Sequence, residues 1–314
     1  MKRKRTKLSD GTINALSTAR PNSKAITWAE TVTKFTDYLR ISEHSVHTID
    51  TYSKTLAQIY RDLSKIDHQP YLLATITESD LEALIRYYLD ERRLKASTVN
   101  QRLRTLSTLY EFSIKKGYVR NNVVKKIGYL KERKSAPVVL SADDLQKVLN
   151  AIDPAESFNS LVDFTLVMLL AETGVRITEA CALTVDNVDL TKRTLTVQYA
   201  KNRQPRVIPL SKRLEPVLSL YLSERGVLET EALLVNGFNE PMTKRNAQAR
   251  LAALSEKSGI HISAHMCRRY FATSRLQRGL DVWSVAKLMG HSDLQSLQRY
   301  LVTDDDVLRK GVNL

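Results

Sequence analysis

Between Thr27 and Gly117 the apolar residues recur at spacings of three and four, segment after segment, and this rhythm limits what the chain can fold into more than any other feature. On a helix of 3.6 residues per turn such spacing draws a single stripe, which is stable only when buried against another. Thr27-Trp28-Ala29-Glu30 has the form of a capping box, in which a hydroxyl and a carboxylate three residues on satisfy each other's backbone N–H groups. Trp28, Val32, Phe35 and Leu39 follow on one face. A second stripe is Ile49, Tyr52, Leu56, Ile59 and Leu63, and a third opens at Thr77-Glu78-Ser79-Asp80 and runs through Leu81, Leu84, Ile85, Tyr88 and Leu89. A fourth carries Val99, Leu103, Leu106, Tyr110 and Ser113 and stops at Gly117, a residue suited to the left-handed turn after a helix. Consecutive helices with one apolar face each predict a small bundle.

The stretch Lys125 to Lys134 loses this periodicity and leads into Ser135-Ala136-Pro137, which reads as an interdomain linker over 125–137. The expected organisation is a flexible basic arm at 1–25, the bundle at 26–124, the linker, and a second domain at 138–314. Ser141-Ala142-Asp143-Asp144 restarts helix, and a largely apolar run over 158–172, expected to be buried, ends at Gly174. Its most apolar part, Leu161 to Ala171, contains Asp163 and falls short of the ~18 apolar residues that suggest a membrane-spanning helix, so it predicts a buried core helix. Alternating β pattern occurs only at Val188-Asp189-Leu190, Thr194 to Tyr199 and Arg206 to Leu210. The fold class is therefore mainly α, with a small antiparallel β-sheet in the second domain.

Charge narrows the partner. The 314 residues hold 48 Lys+Arg against 34 Asp+Glu, a formal net charge of +14, and the part before Ala136 contributes +12 of it. Such a surplus points to a polyanion. Lys2, Arg3, Lys4, Arg5 and Lys7 crowd the start of the chain with no apolar run behind them, so they form an arm along DNA or an idle solvated tail rather than a secretory leader. Arg92, Arg93, Arg102 and Arg104 on the bundle, with Lys244 and Arg245 in the second domain, are candidate phosphate contacts. Cys181 and Cys267 are too few and too far apart for a disulfide framework or a zinc site, which fits a reducing cytoplasm.

Four stretches of the second domain carry groups with possible chemistry. Gly174-Val175-Arg176-Ile177-Thr178-Glu179 puts a guanidinium at a turn with a carboxylate three residues on, which alone reads as a surface pair. Lys201 lies in the turn between the last two strands, five residues before Arg206; alone it reads as a solvated charge. His265 and Arg268, three apart, share a helix face, and His291 closes a short helix nine residues before Tyr300. Taken together, these groups suit one reaction. Breaking a phosphodiester without metal needs cationic donors on the non-bridging oxygens, a nucleophile, and an acid for the leaving oxygen. Arginine grips two oxygens and stays charged, lysine can release a proton, and tyrosine gives a phenolate that can attack and leave again.

At this point the sequence resembles the tyrosine recombinases, the phage-integrase-type family, from roughly Thr27 to Tyr300. The motifs that carry the resemblance run from Leu169-Leu170-Ala171-Glu172-Thr173-Gly174-Val175-Arg176 through Glu179-Ala180, then His265-Met266-Cys267-Arg268-Arg269-Tyr270, then Leu288-Met289-Gly290-His291-Ser292 with Tyr300. The resemblance implies a two-domain clamp on DNA, with a helical, SAM-like core-binding bundle and an α+β catalytic domain. It implies that Arg176 and Arg268 hold the scissile phosphate, that His265 and His291 donate to it or relay protons, and that Lys201 protonates the departing 5′ hydroxyl. Glu179 would support the site, and Tyr300 would form a 3′-phosphotyrosine link that stores the bond energy, so that neither metal nor ATP nor another cofactor is needed. The same resemblance implies site-specific recombination by a tetramer on a specific DNA site, with possible accessory proteins, no membrane, and a place in the cytoplasm with the nucleoid. Arg269 stands where many members have histidine, Ala200 and Asn202 replace the glycines that often flank the lysine, and Asn121-Asn122 occupies the place of a common Asn-Pro. Two alternatives remain at this level: a type IB topoisomerase-like relaxing enzyme, and a non-catalytic DNA-binding protein on the same fold.

Overall fold

A computed structural model describes residues 26–67, 72–132, 139–198 and 205–290. The chain divides into two compact units, Met1–Lys134 and Ser135–Leu314. The basic arm and the last 24 residues lie outside the described residues.

In the first unit the predicted stripes become α1 (Trp28–Ile41), α2 (Val46–Asp67), α3 (Glu78–Arg86) and α4 (Ala96–Lys115). The Thr27 and Thr77 capping boxes both form, through Glu30 and Asp80. Phe35, Leu56, Ile59, Leu63, Leu81, Leu84, Val99, Leu103, Leu106 and Tyr110 make one buried core. Leu89 departs from its expected stripe and is exposed. The cause is a π-helical turn, Tyr87–Glu91, that follows α3 and inserts extra residues into the helical rotation, carrying Leu89 away from the face that Tyr88 keeps buried.

The expected linker begins later than 125. Val123–Ile127 forms a short helix, α5, whose Val124 is fully buried in the bundle core. Asn122, in the place of the common proline, caps it by accepting the Val124 N–H at 3.2 Å, and its side-chain amide donates to Ser107 Oγ at 2.9 Å and Glu111 Oε1 at 2.8 Å. Further on, Asn100 exchanges two hydrogen bonds with the Leu130 backbone, at 2.8 and 2.9 Å. Residues 125–132 are thus fastened to the bundle by groups that carry no periodic signal.

The second unit comprises α6 (Ala142–Asn150), α7 (Phe158–Thr173), α8 (Ile177–Ala182), three strands, α9 (Leu214–Arg225), α10 (Lys244–Ser258), α11 (Ala264–Gln277) and α12 (Val282–Met289). The α7 helix is buried on nearly every side, as its apolar run predicts, with α9 and α11 packed on it. The strands β1 (Val188–Asp189), β2 (Thr194–Val197) and β3 (Arg206–Pro209) form an antiparallel sheet in that order, with Val188 opposite Leu195, Leu195 opposite Ile208 and Val197 opposite Arg206. Among the described residues no helix is long and apolar enough to cross a membrane.

Candidate active site

The site is built around the turn that ends α7. Gly174 takes the left-handed conformation there, φ +62°, and a Cβ at this position would lie 2.5 Å from Cδ1 of Phe271 on α11. Glycine thus serves two needs at once, the positive φ and the close approach of α11. Two residues on, Arg176 has extended backbone and stands at the N-cap of α8. An arginine has no acceptor with which to cap a helix; instead Glu179, in the first turn, accepts the Arg176 backbone N–H at 2.9 Å and its Nη1 at 3.0 Å.

Glu179 is shared. Arg206, the first residue of β3, places Nη2 at 2.7 Å and Nη1 at 3.3 Å from the two carboxylate oxygens. Its Nε donates to the Leu288 carbonyl, in the last turn of α12, at 2.7 Å. These guanidiniums, with the backbone N–H of Arg176, hold the Glu179 carboxyl below its ordinary pKa although burial acts in the opposite sense. The two arginines differ in exposure: the Arg176 side chain is 38% exposed and that of Arg206 6%. Arg176 therefore faces solvent, while Arg206 is withdrawn from it.

Arg268 comes from α11 and is also buried. Its Nη1 donates to the Gly174 carbonyl and its Nη2 to the Met289 carbonyl at 2.8 Å, so it reaches the turn two residues before Arg176 and the end of α12 together. Arg206 and Arg268 thus hold the consecutive carbonyls of Leu288 and Met289, at a helix C-terminus where cations are favoured. His265 lies one turn before Arg268, in the first turn of α11. Partial desolvation, and then the charges of Arg269 and Arg268, hold its imidazole below the ordinary histidine pKa and so favour the neutral form. Behind the turn, buried Glu172 pairs with Arg275 at 2.6 Å, and Arg275 covers the Phe271 ring at 5.0 Å from its centroid. This second pair ties the end of α7 to α11.

Arg268, from far along the sequence, is thus brought to the turn that carries Arg176 and Glu179, with His265 one helical turn before it on α11. Lys201, His291 and Tyr300 lie outside the described residues. Sequence reasoning passed over Arg206 as a spacing marker for Lys201, and it missed Glu172 and Arg275. A signal for Arg206 was present: on a strand that alternates inward and outward, it shares the buried face with Ile208 while Val207 and Pro209 face out.

The candidate DNA contacts divide. Lys2, Arg3, Lys4, Arg5 and Lys7 are outside the described residues. Arg93, Lys244 and Arg245 are exposed, the last two in the first turn of α10. Arg92 and Arg104 are exposed as well, but paired: Arg92, with the half-buried Arg102, reaches Asp62, whose carboxylate is 0% exposed, at 3.4 and 3.3 Å, and Arg102 also covers the Tyr88 ring at 4.5 Å. Arg104 pairs with Glu132 at 3.3 Å. Among the described residues no group of three or more His, Cys, Asp or Glu is placed to hold a metal ion.

Residues 138–306 match the phage integrase family, and residues 32–117 match the phage integrase N-terminal SAM-like domain. The chain is 29% identical over 285 residues to the tyrosine recombinase XerC of Bacillus subtilis, across 88% of this chain and 92% of the relative. It is 26% identical over 279 residues to the Listeria monocytogenes XerC, across 85% and 91%. In fold it resembles a lambda integrase dimer bound to a COC′ core site, with a TM-score of 0.72 at 18% identity over 94% of this chain and 81% of that one. The Tn1549 transposon integrase in complex with a circular intermediate DNA gives 0.73 at 18% identity, over 92% and 99%.

Proposed function

The chain belongs to the phage integrase family and is a site-specific recombinase of the tyrosine class; from that premise we propose which of its residues perform strand exchange and how. Arg176 and Arg268 clamp the non-bridging oxygens of the scissile phosphate. His265 and His291 donate to the same oxygens or move protons there. The Tyr300 oxygen attacks phosphorus, the bond to the 5′ oxygen breaks, and Lys201 delivers the proton that this oxygen requires. The product is a 3′-phosphotyrosine ester and a free 5′ hydroxyl. Attack by the 5′ hydroxyl of a second duplex reverses the step on a new partner, so bond energy is conserved without ATP. Glu179 orients Arg176.

The observation that carries this reading is the approach of two arginines from α8 and α11 to the turn at Gly174, one exposed and one anchored, with a neutral-leaning imidazole one helical turn from the second. Such a cationic pocket stabilises charge where it develops on phosphoryl oxygens. The substrate is double-stranded DNA bearing a specific site. Lambda integrase has been described as a tetramer bound to a Holliday junction, which supports a homotetramer on paired sites here. Recognition would draw on Arg92, Arg93, Arg102 and Arg104 of the bundle, on Lys244 and Arg245, and on the basic arm. The enzyme would work with the nucleoid in the cytoplasm.

A nicked suicide duplex tests the chemistry. The unmodified protein should give a covalent, slower-migrating band on a denaturing gel, in EDTA as well as in magnesium, and Tyr300→Phe should give none while binding DNA within a few-fold. An equal band from the phenylalanine variant would overturn the assignment of Tyr300.

A further inference from the structure

We propose that Arg206 is a positioning residue for strand cleavage: it neutralises Glu179 so that the charge of Arg176 stays available to the phosphate, and it holds the end of α12 beside the same pocket. The inference rests on the reading of Arg176 as a phosphate ligand.

Arg206 occupies a strand position whose neighbours along the buried face are apolar, and a charge buried there is stable only when paired. Its pairing is two-pronged on Glu179, on the same two oxygens that Arg176 contacts through its backbone N–H and Nη1. One negative charge therefore lies between two positive ones, and the trio is net positive. Without Arg206, Arg176 and Glu179 would form a neutral pair, with a largely desolvated anion beside the proposed phosphate site. In a partly desolvated site that anion opposes the negative charge that grows on the phosphoryl oxygens in the transition state.

The third contact adds geometry. Through Nε and the Leu288 carbonyl, one guanidinium spans α8, β3 and α12, three elements brought together only by folding. Arg268 takes the adjacent Met289 carbonyl, so the turn that precedes His291 in the sequence is held from two elements. Lysine could supply the charge but not this fork, since it has one nitrogen where arginine has three.

The test is single-turnover cleavage of a nicked duplex carrying either an ordinary scissile phosphate or a methylphosphonate, in which a methyl group replaces one charged oxygen. Arg206→Met should slow cleavage of the phosphate by ~10²-fold, the scale of losing one preorganised donor, with duplex affinity within a few-fold. The loss should be clearly smaller on the neutral methylphosphonate, and adding Glu179→Gln should recover about tenfold on the phosphate, because coupled groups are not additive. Arg206→Lys, which keeps the charge and folds even if the methionine variant does not, should be slowed to the same extent on both substrates. A purely structural role would give equal losses on both substrates for Arg206→Met and no recovery in the double variant, and either result overturns the proposal. So would wild-type cleavage by Arg206→Met, or an unequal loss for the lysine variant. An unmodified protein that forms no covalent adduct on the phosphate duplex would instead refute the parent reading.

Discussion

Replacing Gly174 by alanine tests the construction of the site at its tightest point. The new Cβ would meet Phe271 Cδ1 at 2.5 Å and Cγ at 2.8 Å, while φ stays at +62°. Gly259 offers a matched control, with φ +69° and nothing within 4 Å of its Cβ. Left-handed backbone costs a non-glycine residue roughly 1–2 kcal/mol, and alanine's stiffer unfolded chain returns about 0.4–1 kcal/mol. Gly259→Ala should thus lose ~1 kcal/mol. At Gly174 the buried Phe271 must also move, and forcing extra volume into a packed core costs about 1–3 kcal/mol more, for a total of ~2–4 kcal/mol. Phe271 shares α11 with Arg268, whose guanidinium is anchored on the Gly174 carbonyl. A shift near 1 Å between turn and helix would separate the two proposed phosphate ligands, and misplacement on that scale costs ~10²-fold in rate. Urea unfolding followed by circular dichroism gives the stability, and suicide-substrate trapping gives the rate. If Gly174→Ala matched Gly259→Ala within ~0.5 kcal/mol and cleaved DNA as fast, the close packing of α11 on the turn would be refuted.

Asp62→Asn should destabilise the bundle. Losing one partner of a buried ion pair costs about 3–5 kcal/mol, and because Arg92 and Arg102 are 37% and 17% exposed, water can take up part of that loss, leaving ~2 kcal/mol; an unchanged urea midpoint would show that Asp62 is not their anchor. For His265 the native pKa is lowered from the ordinary 6.5, so the unfolded chain binds the proton more readily and stability falls as pH drops below about 6.5, levelling off below the native value. His265→Gln should flatten the dependence of melting temperature on pH in that window, and an equally steep profile in the variant would contradict the shift. Deleting residues 1–25, which hold seven Lys and Arg and one Asp, should flatten the slope of log affinity against log salt by roughly two to four units on specific and random duplexes alike, because phosphate contacts carry no sequence information. An unchanged slope would make the arm an idle tail.

What the sequence determined by itself is what lies within a few residues along the chain. Thr27 with Glu30, Thr77 with Asp80 and Ser141 with Asp144 announce three helices because each pair meets across a single turn. The stripes of α1, α2 and α4 follow from helical period alone, and the break in that period at Tyr87–Glu91 is why Leu89 escaped it. Motif spacing likewise marked Arg176, Glu179, His265 and Arg268 as candidates. Tertiary structure decided how the charges are shared. Arg206 meets Glu179 27 positions away and Leu288 82 away, Arg268 reaches back 94 residues to Gly174, and Asp62 gathers Arg102 from 40 residues on. A buried guanidinium needs a counter-charge or carbonyls, and which group supplies them depends on elements that approach only when the apolar faces pack. The sequence therefore named the charged residues, and packing divided them between those facing the solvent and those holding the pocket in place.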